Sequence, residues 1–508
     1  MSNVADPITL AQQQLQETVD RCLGLVDVAV RDGQPVHELE SGVWRQILRL
    51  GHDLLGSFFA RCGNGDMGET IAGPEGQEWR RLEQLHAREY MSIFGSFKLQ
   101  RTVYGSREGQ KIDFVPLDNR LQLPASVYSY LLQDWSQGFC VESAFGQVSQ
   151  TLKRMLGLSL SIDGLERTNV SMAQRVEAYR DDRPKPAADT EGEILVASAD
   201  GKGIVMRRSA EDPAPSSHRT KGEKANKKRM AMVATVYTVD RYERTPEEVV
   251  AALFRDEQPI NAVAPKRPKP CHKRVMASLT TVNAKGEEQP AVDTVHEWMI
   301  NEIVERNRHE HAWKRPMVFL YDGQESLWDA RDYHLPTSGV DVLDLLHVTP
   351  RLWRAAHLFH PEKSAAAEEF VRDRCLRVLQ GRVDGVITGL NEMATKQGLC
   401  ASKRKALAEI CGYLRKNRDR MRYDEYLEKG YPIASGVIEG ACRHLIKDRM
   451  ERAGMHWQPE GAQAMLDVRS VHIDGDWEGY QAYRIERETR ELYPHRALVA
   501  GINYTIAC

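Results

Sequence analysis

Two apolar segments that end in the same dipeptide, Asp-Gly, constrain the fold of this chain most strongly. The first spans residues 194–200 and the second residues 317–322. β-Branched and aromatic residues favour strands, so we expect each segment to be a strand with an aspartate at its carboxyl end. Asp200 and Asp322 can then reach a metal ion or a substrate while their backbones stay in the sheet. For Asp200, an ordinary Asp-Gly turn is the alternative.

The region around the first segment predicts an α/β sheet. Gly201 and Gly203 predict a tight hairpin that joins strand 193–200 to strand 203–208, because glycine tolerates the positive φ of such turns. The other elements predicted here are strand 230–239, helix 294–311, and strands 317–322 and 342–346. Three antiparallel strands, a helix, a strand, a helix and a strand are the order of a ribonuclease H-like fold, which we take as a fold-level analogy.

In that fold the strands that end in Asp200 and Asp322 are neighbours, so the two carboxylates meet at one edge of the sheet. Like charges brought this close cost free energy unless a cation lies between them. Oxygen ligands suit Mg²⁺ or Mn²⁺. The pair therefore favours a metal-dependent site.

Glu439 is the candidate for a third acid, near the start of a helix predicted from Val437 to about Arg452. Arg443 and Lys447 follow at helical spacing and share its face. This pattern suits a metal ligand followed by phosphate contacts, and an ordinary ion-pair ladder is the alternative. The acids that can substitute for Glu439 are Glu425, Glu428 and Glu451.

Three further residues are candidates for accessory roles. Asp344 and His347 lie at the end of the fifth strand, where His347 can orient a phosphate or bond a ligand carboxylate. A histidine packed in the core is the alternative. Lys202, inside the predicted hairpin turn, is a candidate for contact with a scissile phosphate.

The charge distribution favours a polyanionic partner. Net charge is −3, but lysine and arginine concentrate in two stretches, 202–229 and 266–274. Such segregation is what a nucleic-acid surface requires, although charge runs are usually solvated loops. The nine cysteines form no Cys-x-x-Cys pair, which indicates a reducing cytoplasm. We expect no membrane span and no signal peptide.

The N-terminal part predicts mainly helices. Helices 142–156 and 162–179, joined at Gly157 and capped by Ser161, have the layout of a helix-turn-helix. Its second helix would present Arg167 and Asn169 to DNA, and a plain helical hairpin is the alternative. The predicted regions are 1–88, helical; 89–125, a small β element; 126–180, helix-turn-helix-like and DNA-binding; 190–360, the first part of the core; 361–428, a helical insertion; 429–455, the Glu-bearing helix of the core; and 456–508, the C-terminal tail.

Three segments taken together are similar to a known family: Ser198-Ala-Asp-Gly-Lys-Gly203, Tyr321-Asp-Gly-Gln-Glu-Ser-Leu-Trp328 and Ile433-Ala-Ser-Gly-Val-Ile-Glu-Gly-Ala-Cys-Arg443. On them the chain resembles bacterial insertion-sequence transposases of the Kra family, which are DDE enzymes with a ribonuclease H-like catalytic domain. The likeness continues at residues 347–356 and 449–457. Some relatives carry Cys pairs near residues 90–115 and this chain carries none, which argues against a zinc ribbon there.

The resemblance implies that Asp200, Asp322 and Glu439 are the catalytic acids and hold two Mg²⁺ or Mn²⁺ ions. Asp344 and His347 match a signature, Asp/Cys-x-x-His, seen in several DDE superfamilies. It also implies a helical insertion between the fifth strand and the Glu-bearing helix.

The implied function is that of a DNA transposase, the recombinase of a mobile element. It would bind the terminal inverted repeats, cleave DNA and transfer the strand into target DNA, as a homodimer or larger oligomer in the cytoplasm, at the nucleoid. The expected DNA contacts are Arg443, Lys447, Arg449, Arg207, Arg208, Lys227, Lys228 and Arg229, with Arg167 and Asn169 in the helix-turn-helix. The alternatives are a ribonuclease H-like DNA nuclease without strand transfer and a catalytically inactive DNA-binding derivative.

Overall fold

The structure is a computed structural model, and its chain falls into two compact units. Unit 1 is Met1–Arg175 with Trp477–Cys508, and unit 2 is Val176–Asp476. The described residues are 6–74, 76–106, 112–207, 228–256, 266–282, 285–309, 312–452 and 454–500. Among them, no helix combines the length and the apolar character needed to cross a bilayer.

Helices predominate over strands. The helices are α1 (Pro7–Arg31), α2 (Val36–Cys62), α3 (Pro116–Leu121), α4 (Tyr130–Cys140), α5 (Phe145–Leu156), α6 (Ile162–Ala173), α7 (Val176–Asp182), α8 (Pro246–Phe254), α9 (Ala291–Asn307), α10 (Glu325–His334), α11 (Leu345–Phe359), α12 (Ala365–Leu379), α13 (Val383–Lys396), α14 (Ala401–Asn417), α15 (Tyr423–Glu428), α16 (Gly436–Ala441), α17 (Asp448–Met450), α18 (Pro459–Asp474) and α19 (Trp477–Leu492). The strands are β1 (Thr70–Ala72), β2 (Glu78–Arg81), β3 (His86–Ser92), β4 (Gly95–Arg101), β5 (Tyr104–Gly105), β6 (Ile194–Val205), β7 (Lys228–Val239), β8 (Cys271–Leu279), β9 (Thr281–Val282), β10 (Glu288–Gln289), β11 (Arg308–His309), β12 (Ala312–Trp313), β13 (Met317–Tyr321) and β14 (Val340–Leu343).

Unit 1 combines helices with short strands. β3 pairs with β4 as an antiparallel hairpin, and β1, β2 and β5 form a second small sheet. The strands β1 and β2 lie within residues 1–88, which the sequence predicts as helical, so that prediction is wrong for this stretch. Apolar side chains of α4, α5 and α6, among them Leu132, Leu152 and Leu165, are buried in one cluster.

Unit 2 is built on a mixed five-stranded sheet of order β14-β13-β6-β7-β8. β7 is antiparallel to both β6 and β8, and β13 is parallel to both β6 and β14. The predicted α/β class is therefore confirmed for this unit. The predicted helix 294–311 is present as α9, which ends at Asn307, and helices α12 to α15 lie in the stretch 361–428 that was predicted as a helical insertion.

The predicted hairpin after Asp200 is wrong. β6 is one continuous strand from Ile194 to Val205, and Asp200 lies inside it opposite Val233 of β7. The glycines serve close packing instead of a turn: a Cβ added to Gly201 would lie 3.1 Å from the Met230 side chain, and one added to Gly203 would lie 3.0 Å from that of Lys228. The third antiparallel strand is β8, in a stretch that the sequence suggested as a basic loop.

The two faces of the sheet carry separate cores. Odd-numbered residues of β6, such as Leu195 and Ala197, pack with α9 and α10. Even-numbered ones, such as Ile194 and Val196, pack with the helices α11 to α15. Because side chains alternate along a strand, Asp200 belongs to the second face.

A buried ion pair ties the sheet to α9. Arg306 of α9 donates two hydrogen bonds of 2.8 Å to Glu191, just before β6, and both side chains are 2% exposed. Burial raises the pKa of Glu191, but the hydrogen bonds from Arg306 and from Thr238 of β7 outweigh it and hold the pKa below its usual value.

We expect Glu191→Ala to lower the free energy of unfolding by about 3–5 kcal/mol, because it leaves a buried guanidinium without its partner. Urea unfolding measures the change. The wild-type contribution is present above the ordinary carboxyl pKa and is lost as pH falls through the lowered one. Glu193→Ala is the control: Glu193 is 58% exposed and its removal should cost under about 1 kcal/mol. Equal losses in the two variants would contradict the prediction.

Candidate active site

Strand register brings three aspartates to the same level of the sheet. β13 pairs with β6 from Met317↔Leu195 to Phe319↔Ala197. The Oγ of Ser198 then donates to the Leu320 carbonyl at 2.5 Å, so the two chains stay side by side beyond the paired residues. Continued in this register, Asp322 is level with Asp200. Neighbouring strands lie about 4.8 Å apart.

Asp344 joins that row from β14. β13 pairs with β14 up to Tyr321↔Leu343, and the Asp344 amide donates to the Tyr321 carbonyl at 2.8 Å. Asp344 is the N-cap of α11, where its Oδ1 accepts from the Leu346 amide at 2.8 Å. Burial, and to a lesser degree the Glu439 charge, raises the pKa of Asp344 to about 6, against hydrogen bonds from the backbone and the charge of His347.

The N-cap residue of α16, Ser435, holds this helix against the row of aspartates. Ser435 caps α16 by accepting from the Ile438 amide at 3.3 Å, and its own amide donates to Oδ2 of Asp344 at 3.2 Å. The Ser435 hydroxyl also lies 3.4 Å from that of Ser198 in β6. One turn later, α16 carries Glu439. The fastening therefore sets the third predicted acid over the edge of the sheet.

Glu439, Asp344 and His347 form a cluster of metal-ligand size. One ligand atom of each lies within 4.8 Å of the other two. His347 lies in the first turn of α11 and not at the end of a strand as predicted, and this helical turn is what brings it beside Asp344. The two carboxylates suit Mg²⁺ or Mn²⁺, whereas an imidazole ligand favours transition metals such as Zn²⁺.

Asp200 has a thiol as its partner. Its Oδ2 accepts from Sγ of Cys442 at 3.5 Å, and its Oδ1 accepts from the Gly201 amide at 2.7 Å. Burial, and then the Asp200 carboxylate, raise the pKa of Cys442 far above its usual value, so the thiol is protonated and can donate. The charges of Lys202 and Glu439 also act on this thiol. Cys442 therefore contacts Asp200 and feels the charges of the other two, while Asp200 and Asp322 lie outside the cluster of metal-ligand size found among the described residues.

Cys442 begins a π-helix, Cys442–Lys447, that follows α16 directly. Single π-helical turns inside α-helices are frequent at functional sites. The π-turn breaks the regular spacing that was predicted to align Glu439 with Arg443 and Lys447. Arg443 and Lys447 are exposed, and Arg443 lies 3.7 Å from Asp448.

Asp322 is held at the end of β13 by its own loop. Its Oδ1 accepts from the Gln324 amide at 2.8 Å, and its carbonyl accepts from the Trp328 indole at 2.8 Å. The ring of Tyr413, from α14, lies against Gly323, where an added Cβ would overlap it. Burial raises the pKa of Tyr413 to about 12, with further raising by Asp322 and Asp344.

The predicted DNA contacts have mixed outcomes. Arg207 and Arg229 are exposed, and Lys228 forms an ion pair of 2.7 Å with Glu451. Arg208 and Lys227 lie outside the described residues. Arg449 is 1% exposed with its guanidinium over the Trp457 ring, so its prediction as a surface contact is wrong.

The predicted helix pair of unit 1 is present as α5 and α6. Gly157 ends α5 at φ 73°, and Ser161 caps α6 by accepting from the Gly164 amide at 3.0 Å. Arg167 is exposed and ion-paired with Asp163 at 2.6 Å. Asn169 is 2% exposed and donates to Gln137 of α4 at 3.1 Å, so its prediction as a DNA contact is wrong.

Sequence reasoning missed Cys442 and Tyr413. Cys442 follows Glu439 by three residues on one helix, so its position near the acid could have been found from helical spacing. Tyr413 lies in a different helix far along the chain, and no local pattern connects it with Asp322.

Comparisons with known proteins give a remote likeness. No protein-family model matches the sequence, and no curated protein matches it. Among solved structures, the chain is similar to the Drosophila P element transposase strand transfer complex, with 11% sequence identity and a TM-score of 0.23. The match covers 71% of this chain and 84% of that chain. A likeness at this score decides neither fold nor function.

We expect Gly323→Ala to lower the free energy of unfolding by about 1–3 kcal/mol, because the new methyl group displaces the Tyr413 ring. Urea unfolding measures the loss. Gly412→Ala is the matched control, next to Tyr413 on α14 with open space around its Cβ, and should be neutral or stabilising by up to about 1 kcal/mol. A Gly323→Ala variant as stable as wild type would contradict the contact.

Proposed function

We propose that this protein is a DNA transposase of the DDE type with a ribonuclease H-like core in unit 2. The observation that carries the proposal is the level row of Asp200, Asp322 and Asp344 with Glu439 above it. The sheet order supports it, because numbering the five strands along the chain gives 3-2-1-4-5 from one edge to the other. The sequence motifs that resemble the Kra transposases lie at this same edge.

The donor set of the site fits divalent cations. Asp200, Asp322 and Glu439 would hold two Mg²⁺ or Mn²⁺ ions, with Asp344 and His347 beside them. When bound, such ions stabilise charge on the attacking and leaving oxygens of a phosphodiester. Burial and, to a lesser degree, the Glu439 charge raise the pKa of Asp344, and a bound cation would offset both effects.

The residues of the chain would hold the carboxylates in place, orient ligands and bind DNA phosphates. The Cys442 thiol holds the Asp200 carboxylate, and the loop after β13 holds the Asp322 carboxylate. His347 can orient a ligand or a phosphate oxygen. Lys202 and the exposed Arg443 and Lys447 would neutralise DNA phosphates around the site, which supplies affinity with little sequence information.

The substrates we propose are terminal inverted repeats and target DNA, with a homodimer or larger oligomer acting on them. A ribonuclease H-like nuclease without strand transfer would cut plasmid but fail to join a pre-cut end to a second plasmid. A catalytically inactive DNA-binding derivative would bind and do neither. The joining assay separates the three.

We expect Asp200→Asn to lower metal-dependent nicking of supercoiled plasmid by more than about a hundredfold, since even residues that only support metal ligands cost 10–100-fold. DNA binding, measured by gel shift, should be retained. Asp419→Asn is the control, because Asp419 is 91% exposed and stands apart from the acids of the site. Nicking that persists in Asp200→Asn would reject the assignment.

Cation binding should also stabilise the folded protein. Mg²⁺ or Mn²⁺ at a hundred times its dissociation constant adds about 2.7 kcal/mol per site, which raises Tm. We expect thermal unfolding to show this rise in wild type and a smaller one in Glu439→Gln, with Asp419→Asn behaving as wild type. Equal shifts in all three proteins would show that the ions bind elsewhere.

A further inference from the structure

Arg351 of α11 is held in a fixed orientation at the edge of the candidate site. Its Nη1 donates to the His347 carbonyl at 2.6 Å, and its guanidinium carbon lies 3.4 Å from the centre of the Tyr413 ring. The side chain is half-buried between α11 and α14. A guanidinium fixed by stacking and by a backbone acceptor has lost most of its freedom before any ligand arrives.

Some buried guanidiniums of unit 2 are neutralised by carboxylates. Arg306 is neutralised by Glu191 at 2.8 Å and Arg331 by Asp341 at 2.6 Å. Within the ranges that the structure describes, Arg351 has the His347 carbonyl and the Tyr413 ring as partners and no carboxylate. Since an arginine has five N–H donors, four of them remain for solvent or a ligand.

Arg351 lies next to the candidate active site. Arg351 follows His347 by one helical turn, and His347 belongs to the cluster with Asp344 and Glu439. Tyr413, on which it stacks, feels the charges of both Asp322 and Asp344 and lies against Gly323. Arg351 is thus a cation without an anionic partner beside a row of carboxylates.

A phosphodiester that enters this site is repelled by the carboxylates. The planar fork of a guanidinium matches two phosphate oxygens and offsets that repulsion. Preorganised donors of this kind act most strongly where negative charge develops in the transition state. The stacked orientation supplies the preorganisation.

Resting on the proposed function, we propose that Arg351 binds a non-bridging oxygen of the scissile phosphate and that Tyr413 is the positioning residue that holds it. Arg351 is held by stacking on the Tyr413 ring and not by a bond to the Tyr413 hydroxyl. Arg351 thereby contributes to the rate of cleavage more than to the affinity for DNA, which many other contacts supply.

The test uses the full chain with Mg²⁺ and supercoiled plasmid that carries the gene with its flanking DNA, with circular dichroism as the check of folding. We expect Arg351→Ala to nick about 10²–10³-fold more slowly with plasmid affinity changed less than about threefold. Arg351→Lys should recover less than a tenth of the wild-type rate, because an ammonium lacks the planar fork. Arg354→Ala, three residues on and exposed on the same helix, is the matched control and should nick as wild type.

Two variants of Tyr413 distinguish the contribution of its ring from that of its hydroxyl. Tyr413→Phe keeps the stack and should stay within about twofold of wild type, whereas Tyr413→Leu should lose about tenfold or more. If Arg351→Ala fails to fold, Arg351→Lys and Tyr413→Leu carry the same comparison.

A modified duplex made from the sequence around the mapped nick tests the contact itself. A neutral methylphosphonate at the scissile position should slow wild type and Arg354→Ala strongly, and slow Arg351→Ala much less, because its partner is already gone. Equal slowing in all three, or nicking by Arg351→Ala within threefold of wild type, would overturn the assignment. A wild type that does not nick at all would reject the proposed function instead, and Asp200→Asn identifies that case.

Discussion

The candidate site depends on the parallel hydrogen-bond register of β13 on β6. A shift of one residue would turn every side chain of β13 to the other face of the sheet. Asp322 would then point toward the α9 core while Asp200 kept its place. The register is supported on both faces by fully buried side chains, among them Val318 and Phe319. The chemistry of the site thus follows from how the sheet packs.

The position of the third acid, Glu439, depends on a second set of contacts. Glu439 stands on a helix of six residues, too short to be stable alone. Its position comes from Ser435, which caps the helix and bonds Asp344 at the same time. The π-turn that follows brings Cys442 onto Asp200. Helix and sheet therefore share contacts on both sides of Glu439, which limits how far its carboxylate can move.

The charges at the candidate site are less evenly paired than those of the buried ion pairs elsewhere in unit 2. Elsewhere in unit 2, several buried charges pair with opposite ones, as Arg183 does with Glu302 and with Asp474. Acids collect at the sheet edge, where burial and, to a lesser degree, the Glu439 charge raise the pKa of Asp344. Opposite them, Arg351 keeps its charge without a carboxylate. Both features are what the divalent cation and the phosphate of the proposed function would satisfy together.

Local pattern was enough to find the apolar strands that lead to Asp200 and Asp322, the helix α9 and the capped pair α5–α6, because apolar periodicity and caps act over a few residues. It failed at Gly201 and Gly203, because Asp-Gly signals a turn only when no neighbouring strand extends the pairing, and β7 does. It also misplaced Asn169, which is buried against α4, and Arg449, whose guanidinium lies over the Trp457 ring. The sequence by itself determined which residue types could bind a metal or a phosphate. Tertiary structure alone decided that Cys442, Tyr413 and Arg351 lie beside these residues, because long-range packing, which no local pattern encodes, brings them there.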